Sequence, residues 1–153
     1  MKKRNLIVGI IFTIVLIAAS IAMSVSIISG QNGKKIIHLE QTDVTVESTV
    51  TLNELYPGDS LRNTYEIRSV KSGELQITFE AGDEQSLLPF LDVTVSISGE
   101  EVYTGALKDV ISEPFTGKTD ALGEVIIVYT LPDDVGNEAQ KTALDLIIDF
   151  RMK

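Results

Sequence analysis

The sequence has no cysteine and no tryptophan, and its 153 residues include a single histidine. Without cysteine there is no disulfide framework, thiolate metal site, cysteine nucleophile or cysteine-linked lipid anchor. A catalytic zinc site normally takes about three protein ligands, with nitrogen or sulfur prominent, which the lone His38 does not supply. The sequence contains no His-Glu-x-x-His motif, phosphate-binding glycine loop or nucleophile elbow. We therefore predict that the protein is not an enzyme.

Glycoside hydrolysis is a separate alternative, because its two carboxylates can come from distant strands. Nothing in the spacing of the acidic residues favours such a pair. The lack of tryptophan also removes the usual platform on which a sugar ring stacks.

Basic residues are scarce past the N-terminus. The first 30 residues hold three of the 13 basic residues and no acidic one, so the rest of the chain carries 22 acidic residues and a net charge of −12. Nucleic acid is a poor partner for such a surface, since binding phosphates needs a basic footprint.

An uncharged apolar run extends from Leu6 to Ile28, directly after the basic N-terminus. As a helix it would reach about 35 Å, enough to cross a hydrocarbon layer about 30 Å thick. Two interpretations stay open: an uncleaved membrane anchor through residues 6–28, or a signal peptide with an h-region from Leu6 to Ala19 that a signal peptidase removes. In both, the acidic remainder is exported, because basic flanks are retained inside.

These patterns divide the chain into three parts. Residues 1–30 are the signal peptide or signal anchor, residues 31–35 form a short polar tether, and residues 36–153 form one domain. The protein is expected outside the cell, either released or anchored in the membrane with its domain outside.

From residue 36 onward the apolar side chains recur every second residue, which is typical of strands with one buried face. The segment around Val125 is apolar on both faces, so it is expected to be central, whereas Asn63 falls on an apolar face and needs a polar partner there. About eight strands are predicted, over 36–40, 44–52, 61–68, 74–81, 91–98, 101–107, 124–131 and 141–151. We predict an all-β fold, a two-sheet antiparallel sandwich or jelly roll, preceded by the transmembrane or signal helix.

Glycine and proline mark the predicted turns, because glycine supplies positive φ and proline presets the entry angle. Stretches 81–89 and 108–122 are expected to be helical turns or mobile loops. The predicted turns are Pro57-Gly58-Asp59, Lys71-Ser72-Gly73, Ser98-Gly99-Glu100 and Thr116-Gly117-Lys118.

Two segments carry a resemblance to a known family. Residues 52–60 read Leu-Asn-Glu-Leu-Tyr-Pro-Gly-Asp-Ser, a strand that runs into a Pro-Gly-Asp turn. Residues 131–140 read Leu-Pro-Asp-Asp-Val-Gly-Asn-Glu-Ala-Gln and precede an alternating strand that ends at Phe150. Over about 100 residues, this order of motifs resembles the TasA/camelysin group of exported matrix proteins found in biofilm fibres, of which the chain would be a distant or accessory member.

The resemblance implies a jelly-roll domain exported through a dedicated signal peptidase. It also implies assembly into extracellular fibres, in which each subunit passes an N-terminal strand to the next. On the positions of this sequence, Pro57, Gly58, Asp59, Gly136 and Asn137 would be the structural turns.

The sheet edges suggest assembly independently of the resemblance. An unpaired row of backbone N–H and C=O groups binds another strand unless it is blocked. Residues 36–52 are rich in β-branched side chains and could fold into their own sheet or pair with a neighbouring molecule. In the second case Ile36, Ile37 and Leu39 would be the donated apolar positions, and head-to-tail contacts of this kind produce a filament.

A calcium site is the remaining binding hypothesis; no other metal or cofactor is expected. Calcium takes six to eight oxygen ligands, commonly from acidic loops. Asp133, Asp134, Asn137 and Glu138 are the best group, although adjacent acids at turns also serve as solvated charges.

The leading hypothesis is a non-enzymatic cell-surface or extracellular-matrix protein whose partner is itself or a related matrix subunit. The alternative is a membrane-tethered β-sandwich that serves as an accessory or ligand-binding domain, with calcium as one possible ligand.

Overall fold

The computed structural model describes residues 24–25 and 34–153. Ten strands form in these residues, connected by short loops and three single-turn 3-10 helices at Leu88–Phe90, Leu107–Val110 and Asn137–Ala139. The strands are β1 Ser24–Val25, β2 Lys34–Leu39, β3 Thr45–Asn53, β4 Ser60–Ser69, β5 Gly73–Ala81, β6 Asp92–Ile97, β7 Glu100–Ala106, β8 Pro114–Thr119, β9 Leu122–Thr130 and β10 Ala143–Met152.

The strands form two five-stranded sheets. Sheet A has the order β1-β3-β10-β5-β8, and sheet B has the order β2-β4-β9-β6-β7. Every neighbouring pair is antiparallel except β1 with β3 and β2 with β4, which are parallel. The prediction of a β-sandwich rich in antiparallel pairs is therefore confirmed.

The inner faces of both sheets make one hydrophobic core, because strand residues alternate between the core and the solvent. In β10 every second residue is buried, from Leu144 to Met152. The strand β9 is third in sheet B, as its apolar character on both faces predicted. Among the largest fully buried side chains are Tyr65, Phe79, Tyr129 and Phe150.

The sandwich has two lateral sides. The side formed by β1, β2, β3 and β4 is here called the N-terminal side, and the side formed by β7 and β8 is called the opposite side. Contacts of β2 with β3, and of β7 with β8, bring the two sheets together at each side.

Two predicted boundaries differ from the structure. The strand β2 begins at Lys34, within the predicted polar tether. Ser24 and Val25, within the predicted apolar helix, pair as a strand with Glu47 and Ser48 of β3. The rest of the predicted membrane segment lies outside the described residues, and no helix in the described ranges has the length and apolarity to cross a bilayer.

The predicted turn at Thr116-Gly117-Lys118 is wrong, because these residues lie in β8. A Cβ atom at Gly117 would lie 2.8 Å from Cδ1 of Ile97, so glycine is required there by close packing between the sheets. In contrast, Ser98 and Gly99 both have positive φ, as a two-residue hairpin turn requires.

Candidate functional sites

The strand β2 lies on the edge of sheet B, in parallel register with β4. Ile37 pairs with Ile67 and His38 pairs with Arg68. Ile37 and Leu39 are 2% and 1% exposed in the core of their own molecule. Ile36 points the other way and is 41% exposed. Of the three residues expected to be donated, two therefore contribute to the closed sandwich, and Ile36 lies on its surface.

One ion pair connects β2 to β4 on the solvent side of the sheet, and a second, within β4, shares its carboxylate. The Lys34 ammonium lies 2.9 Å from the Glu66 carboxylate, and Arg68 Nε donates to the same carboxylate over 2.6 Å. Hydrogen bonds from Lys34 and Arg68 hold the pKa of Glu66 below its usual value. Exposed pairs of this kind contribute little to stability, so β2 is held mainly by its ladder and by its two buried side chains.

Lys35 reaches across the gap between the sheets on the N-terminal side. Its Nζ donates to the carbonyl of Thr49 over 3.4 Å and lies 5.9 Å from the centre of the Tyr65 ring. Burial lowers the pKa of this ammonium. The aliphatic stem of Lys35 therefore covers the core while its charge meets a carbonyl and an aromatic face.

Beneath Lys35 the core contains polar side chains. Ser48 and Asn63 are 3% and 5% exposed, and the phenols of Tyr65 and Tyr129 are fully buried. Burial raises the pKa of Tyr65 to about 12, and it raises the pKa of Tyr129 well above its usual value. Ser48 and Asn63 lie close enough to oppose the rise at Tyr65, but neither phenol oxygen has a hydrogen-bond partner of good geometry. Each such orphaned hydroxyl costs about 1–3 kcal/mol.

The two segments that carry the family resemblance lie against each other. The N–H of Gly58 donates to the carbonyl of Leu131 over 2.7 Å, and the N–H of Leu131 donates to the carbonyl of Asp59 over 2.9 Å. Gly58 has a φ of +89°, and a Cβ atom at this position would overlap the Asp133 carboxylate. Glycine is therefore needed at residue 58 for its backbone angle, whereas the exposed Asp133 side chain can rotate away from an added Cβ atom.

The four calcium candidates are exposed side chains on one loop. Asn137 opens a 3-10 helix, and its Oδ1 accepts a hydrogen bond of 3.1 Å from Gln140 Nε2. Gly136 has a φ of −71°, an ordinary value for any residue. Within residues 34–153, no group of three or more His, Asp or Glu side chains is arranged to hold a metal ion. Asp133, Asp134 and Glu138 are thus not brought together as ligands.

A cleft of about 590 Å³ lies where three loops meet at one end of the sandwich. These are the connections from β4 to β5, from β6 to β7 and from β8 to β9. The cleft is lined by Ser72, Gly73, Glu74, Ser98, Lys118, Thr119 and Asp120.

A second cleft, of about 390 Å³, shares Glu74 and Lys118 with the first and extends it along the opposite side. Its other lining residues are Glu100, Val102, Thr116 and Gly117. Sequence reasoning missed both clefts. Its turn signals at 71–73 and 98–100 marked two of the loops but could not show that they converge.

Comparison with known proteins gives no family. No family model matches the chain, and no curated protein matches it. Solved structures that resemble it include the lysozyme inhibitor PliG of Aeromonas hydrophila, with 10% identity and a TM-score of 0.40, covering 79% of this chain and all of that one. The pre-peptidase C-terminal domain of a Bacillus anthracis collagenase has 11% identity and a TM-score of 0.37, covering 82% of this chain and all of that one. The extracellular region of zebrafish Gpr126/Adgrg6 has 16% identity and a TM-score of 0.41, covering 79% of this chain but 15% of that one.

Proposed function

We propose that the protein is an exported, non-enzymatic matrix or cell-surface component that assembles by exchanging β2 between molecules. Export is supported by the basic N-terminus followed by the apolar run from Leu6 to Ile28, and by the acidic character of the remainder. A non-enzymatic role is supported by the scarcity of catalytic side chains in the sequence, which has one histidine and no cysteine.

The strand connectivity supports a jelly roll. From β3 to β10, consecutive strands pass between the sheets at every step but one, and β6 to β7 is the step that stays within a sheet. Four of these strands lie in each sheet, in the orders β3-β10-β5-β8 and β4-β9-β6-β7. An eight-stranded double-sheet jelly roll has this form, and it is the fold that the family resemblance implies.

The parallel pairing of β2 is the observation that carries the assembly proposal. The strand β2 is an addition to the edge of a finished four-stranded antiparallel unit, and it inserts two side chains, Ile37 and Leu39, into the core. The same register contacts form equally well with the β4 strand of a second molecule. Exchange of an identical element costs little for this reason, and a head-to-tail exchange that does not close gives a filament.

Exchange of β2 requires the connection from β2 to β3 to change its conformation. Residues 40–44 would span at most about 17 Å when extended. In the closed form Asp43 has a φ of +64°. Its N–H donates to the Met152 carbonyl over 2.8 Å, and its carboxylate accepts from Arg151 over 2.9 Å. Exchange would break these contacts and straighten the connection.

A reversible lock tests the proposal. His38 and Arg68 are exposed partners in the β2–β4 register, and neighbouring strands are close enough for a disulfide. The chain has no native cysteine, so His38→Cys with Arg68→Cys introduces the sole thiol pair. We expect wild-type protein and the reduced variant to form polymer in electron microscopy and sedimentation. The oxidised variant should stay monomeric.

The single variant His38→Cys is the matched control and should polymerise under both redox conditions. Polymer formed equally by the oxidised double variant would rule out exchange of β2. Secreted wild-type protein that is monomeric at every concentration would overturn assembly altogether.

The loop-end cleft favours a second candidate, a membrane-tethered domain that binds a ligand. Mass spectrometry of the native N-terminus separates the two candidates. A new terminus between residues 22 and 30 is expected for release and assembly, whereas an intact Met1 would favour tethering.

A further inference from the structure

The two clefts of the opposite side form one groove beside an unpaired strand edge. The strand β8 ends sheet A and β7 ends sheet B, so among the described strands neither has a partner on its outer side. Alternate residues of an edge strand present unpaired N–H and C=O groups. The groove runs from Asp120 past Lys118 to Thr116, along β8.

The groove is shaped by a bulge in β7. Gly73 and Gly117 line it with backbone atoms, since a Cβ atom at either position would point to the core, toward Met152 and Ile97. The register between β6 and β7 shifts so that Val95 pairs with Tyr103 and Ser96 pairs with Glu101, which leaves Val102 unpaired. Bulges redirect side chains, and Val102 contributes the apolar surface of the groove.

Edge protection explains part of this arrangement. Short strands, bulges and charged side chains are the usual means by which a sheet edge avoids pairing with another chain. Protection accounts for the bulge and for Lys118, but it does not require two adjoining clefts of about 590 and 390 Å³.

The charges of the groove indicate the chemistry of its occupant. Glu74 and Glu100 line the part along β8, and Asp120 lies at the loop end. Lys118 is the one basic side chain among the lining residues. A segment with cationic side chains would therefore face three negative charges and one positive charge in the groove.

We propose that this groove binds an extended peptide segment of a partner protein that carries lysine or arginine and adds to β8 as a further strand. Backbone hydrogen bonds to β8 supply affinity, and the three carboxylates select the cationic side chains. This binding lies on the side away from β2, so it does not depend on strand exchange.

Three synthetic peptides test the proposal on the full-length protein in a mild non-ionic detergent, by fluorescence anisotropy. The first is a labelled octapeptide of sequence Lys-Thr-Val-Lys-Val-Thr-Val-Lys. The second has glutamate in place of lysine, and the third is the first with N-methylated backbone amides. We expect the lysine peptide to bind at least tenfold more tightly than either of the others.

Substitutions in the groove then test the site, because they should change the affinity for the lysine peptide in opposite directions. Glu74→Gln with Glu100→Gln should weaken binding of the lysine peptide by about fivefold or more, whereas Lys118→Gln should tighten it by up to about fivefold. The control pair Glu54→Gln with Glu138→Gln removes two exposed charges that do not line the groove and should leave affinity unchanged.

All variants should unfold at the wild-type temperature, since the substituted side chains are on the surface. The proposal is overturned if the lysine peptide does not bind at millimolar concentration, if the N-methylated peptide binds as tightly, or if the control pair weakens binding as much as the groove pair. If the lysine peptide does not bind, protection of the sheet edge would be the remaining explanation for the bulge and the charges.

Discussion

The two lateral sides of the sandwich end their sheets in different ways. On the N-terminal side, strands from the start of the chain are added in parallel to β3 and β4. On the opposite side, no further strand is added within the described residues, and the edges end in a bulge on β7 and a six-residue β8. One side is therefore completed by the N-terminal strands, including the one that we propose is exchanged, whereas the other ends in strands of the eight-stranded unit.

The core beneath the two sides differs as well. Toward the N-terminal side, the hydroxyls of Tyr65 in β4 and of Tyr129 in the adjacent β9 are buried without a hydrogen-bond partner of good geometry. On the opposite side Phe115 packs against Phe79 and Tyr103, with ring centres 5.7 and 5.1 Å apart. The Tyr103 hydroxyl there donates to the carbonyl of Ala106 over 3.0 Å. Tyr65 also packs against Phe150, with ring centres 4.9 Å apart, so the two sides differ in their buried polar groups and not in aromatic packing.

The largest expected effect is from removal of the apolar side chains of β2. Ile37→Asp with Leu39→Asp should lower the free energy of unfolding by about 3 to 5 kcal/mol, because two buried apolar groups are lost and two charges are placed against the core. If β2 served only as a donated strand, this double variant would lose polymer and keep a folded monomer of normal stability. Since both residues lie in their own core, the monomer should also be weakened. Urea unfolding of the monomer measures the change.

Ile36→Asp is the control for this prediction, because Ile36 is on the same strand and is 41% exposed. Its effect should stay within about 0.5 kcal/mol. Equal stability of the double variant and the wild type would mean that β2 is not docked in its own molecule, and it would break the contrast between the two sides.

The sequence predicted the strands but not their order in the sheets. All eight predicted strands form, because a period of two reports directly which face is buried. The strand β8 was missed because Gly117 resembles a turn residue, and the reason for a glycine there is its contact with Ile97 of the other sheet. The burial of Asn63 was foreseen from its position on an apolar face. Its proximity to Tyr129 was not, since that contact crosses between strands.

The candidate sites were predictable to different degrees. Ile37 and Leu39 were selected by alternation, and both face inward as alternation requires. Ile36 was included with them although the same period places it on the other face. The groove could not be foreseen, because it depends on three loops that are far apart in the sequence and on a bulge at Val102.

A smaller effect is expected from a change on the opposite side. Gly117→Val should lower the free energy of unfolding by about 1–3 kcal/mol, because the added atoms overlap Ile97 and the sheets must separate slightly. The neighbouring Thr116→Val is exposed on the same strand and should be close to neutral. Thermal unfolding of both variants measures the difference. An unchanged stability of Gly117→Val would show that the sheets on this side adapt to a larger side chain as readily as those on the N-terminal side.

The smallest expected effect is at Asp149, on the outer face of sheet A between the two sides. Asp149 pairs with Glu47 of β3 and with Thr78 of β5, and Arg151 follows it on the same face. The Oδ1 atom of Asp149 is buried without a hydrogen-bond partner. Burial, followed by the negative charges of Glu47 and Glu80, raises the pKa of Asp149 from 3.8 to about 6.

This pKa shift makes stability depend on pH in a defined direction. The folded state binds the proton more tightly than the unfolded chain, so the penalty is absent below about pH 4, grows as the pH rises and is complete above about pH 6. Asp149→Asn should therefore stabilise the protein at pH 8 by about 1 kcal/mol, after allowance for solvent screening at a partly exposed group, and should have no effect at pH 3.5. Urea unfolding at the two pH values measures this. Glu47→Gln should reproduce more of this gain in stability than Glu80→Gln, because Glu47 of β3 repels Asp149 more strongly than Glu80 of β5 does. A larger gain from Glu80→Gln would contradict this order.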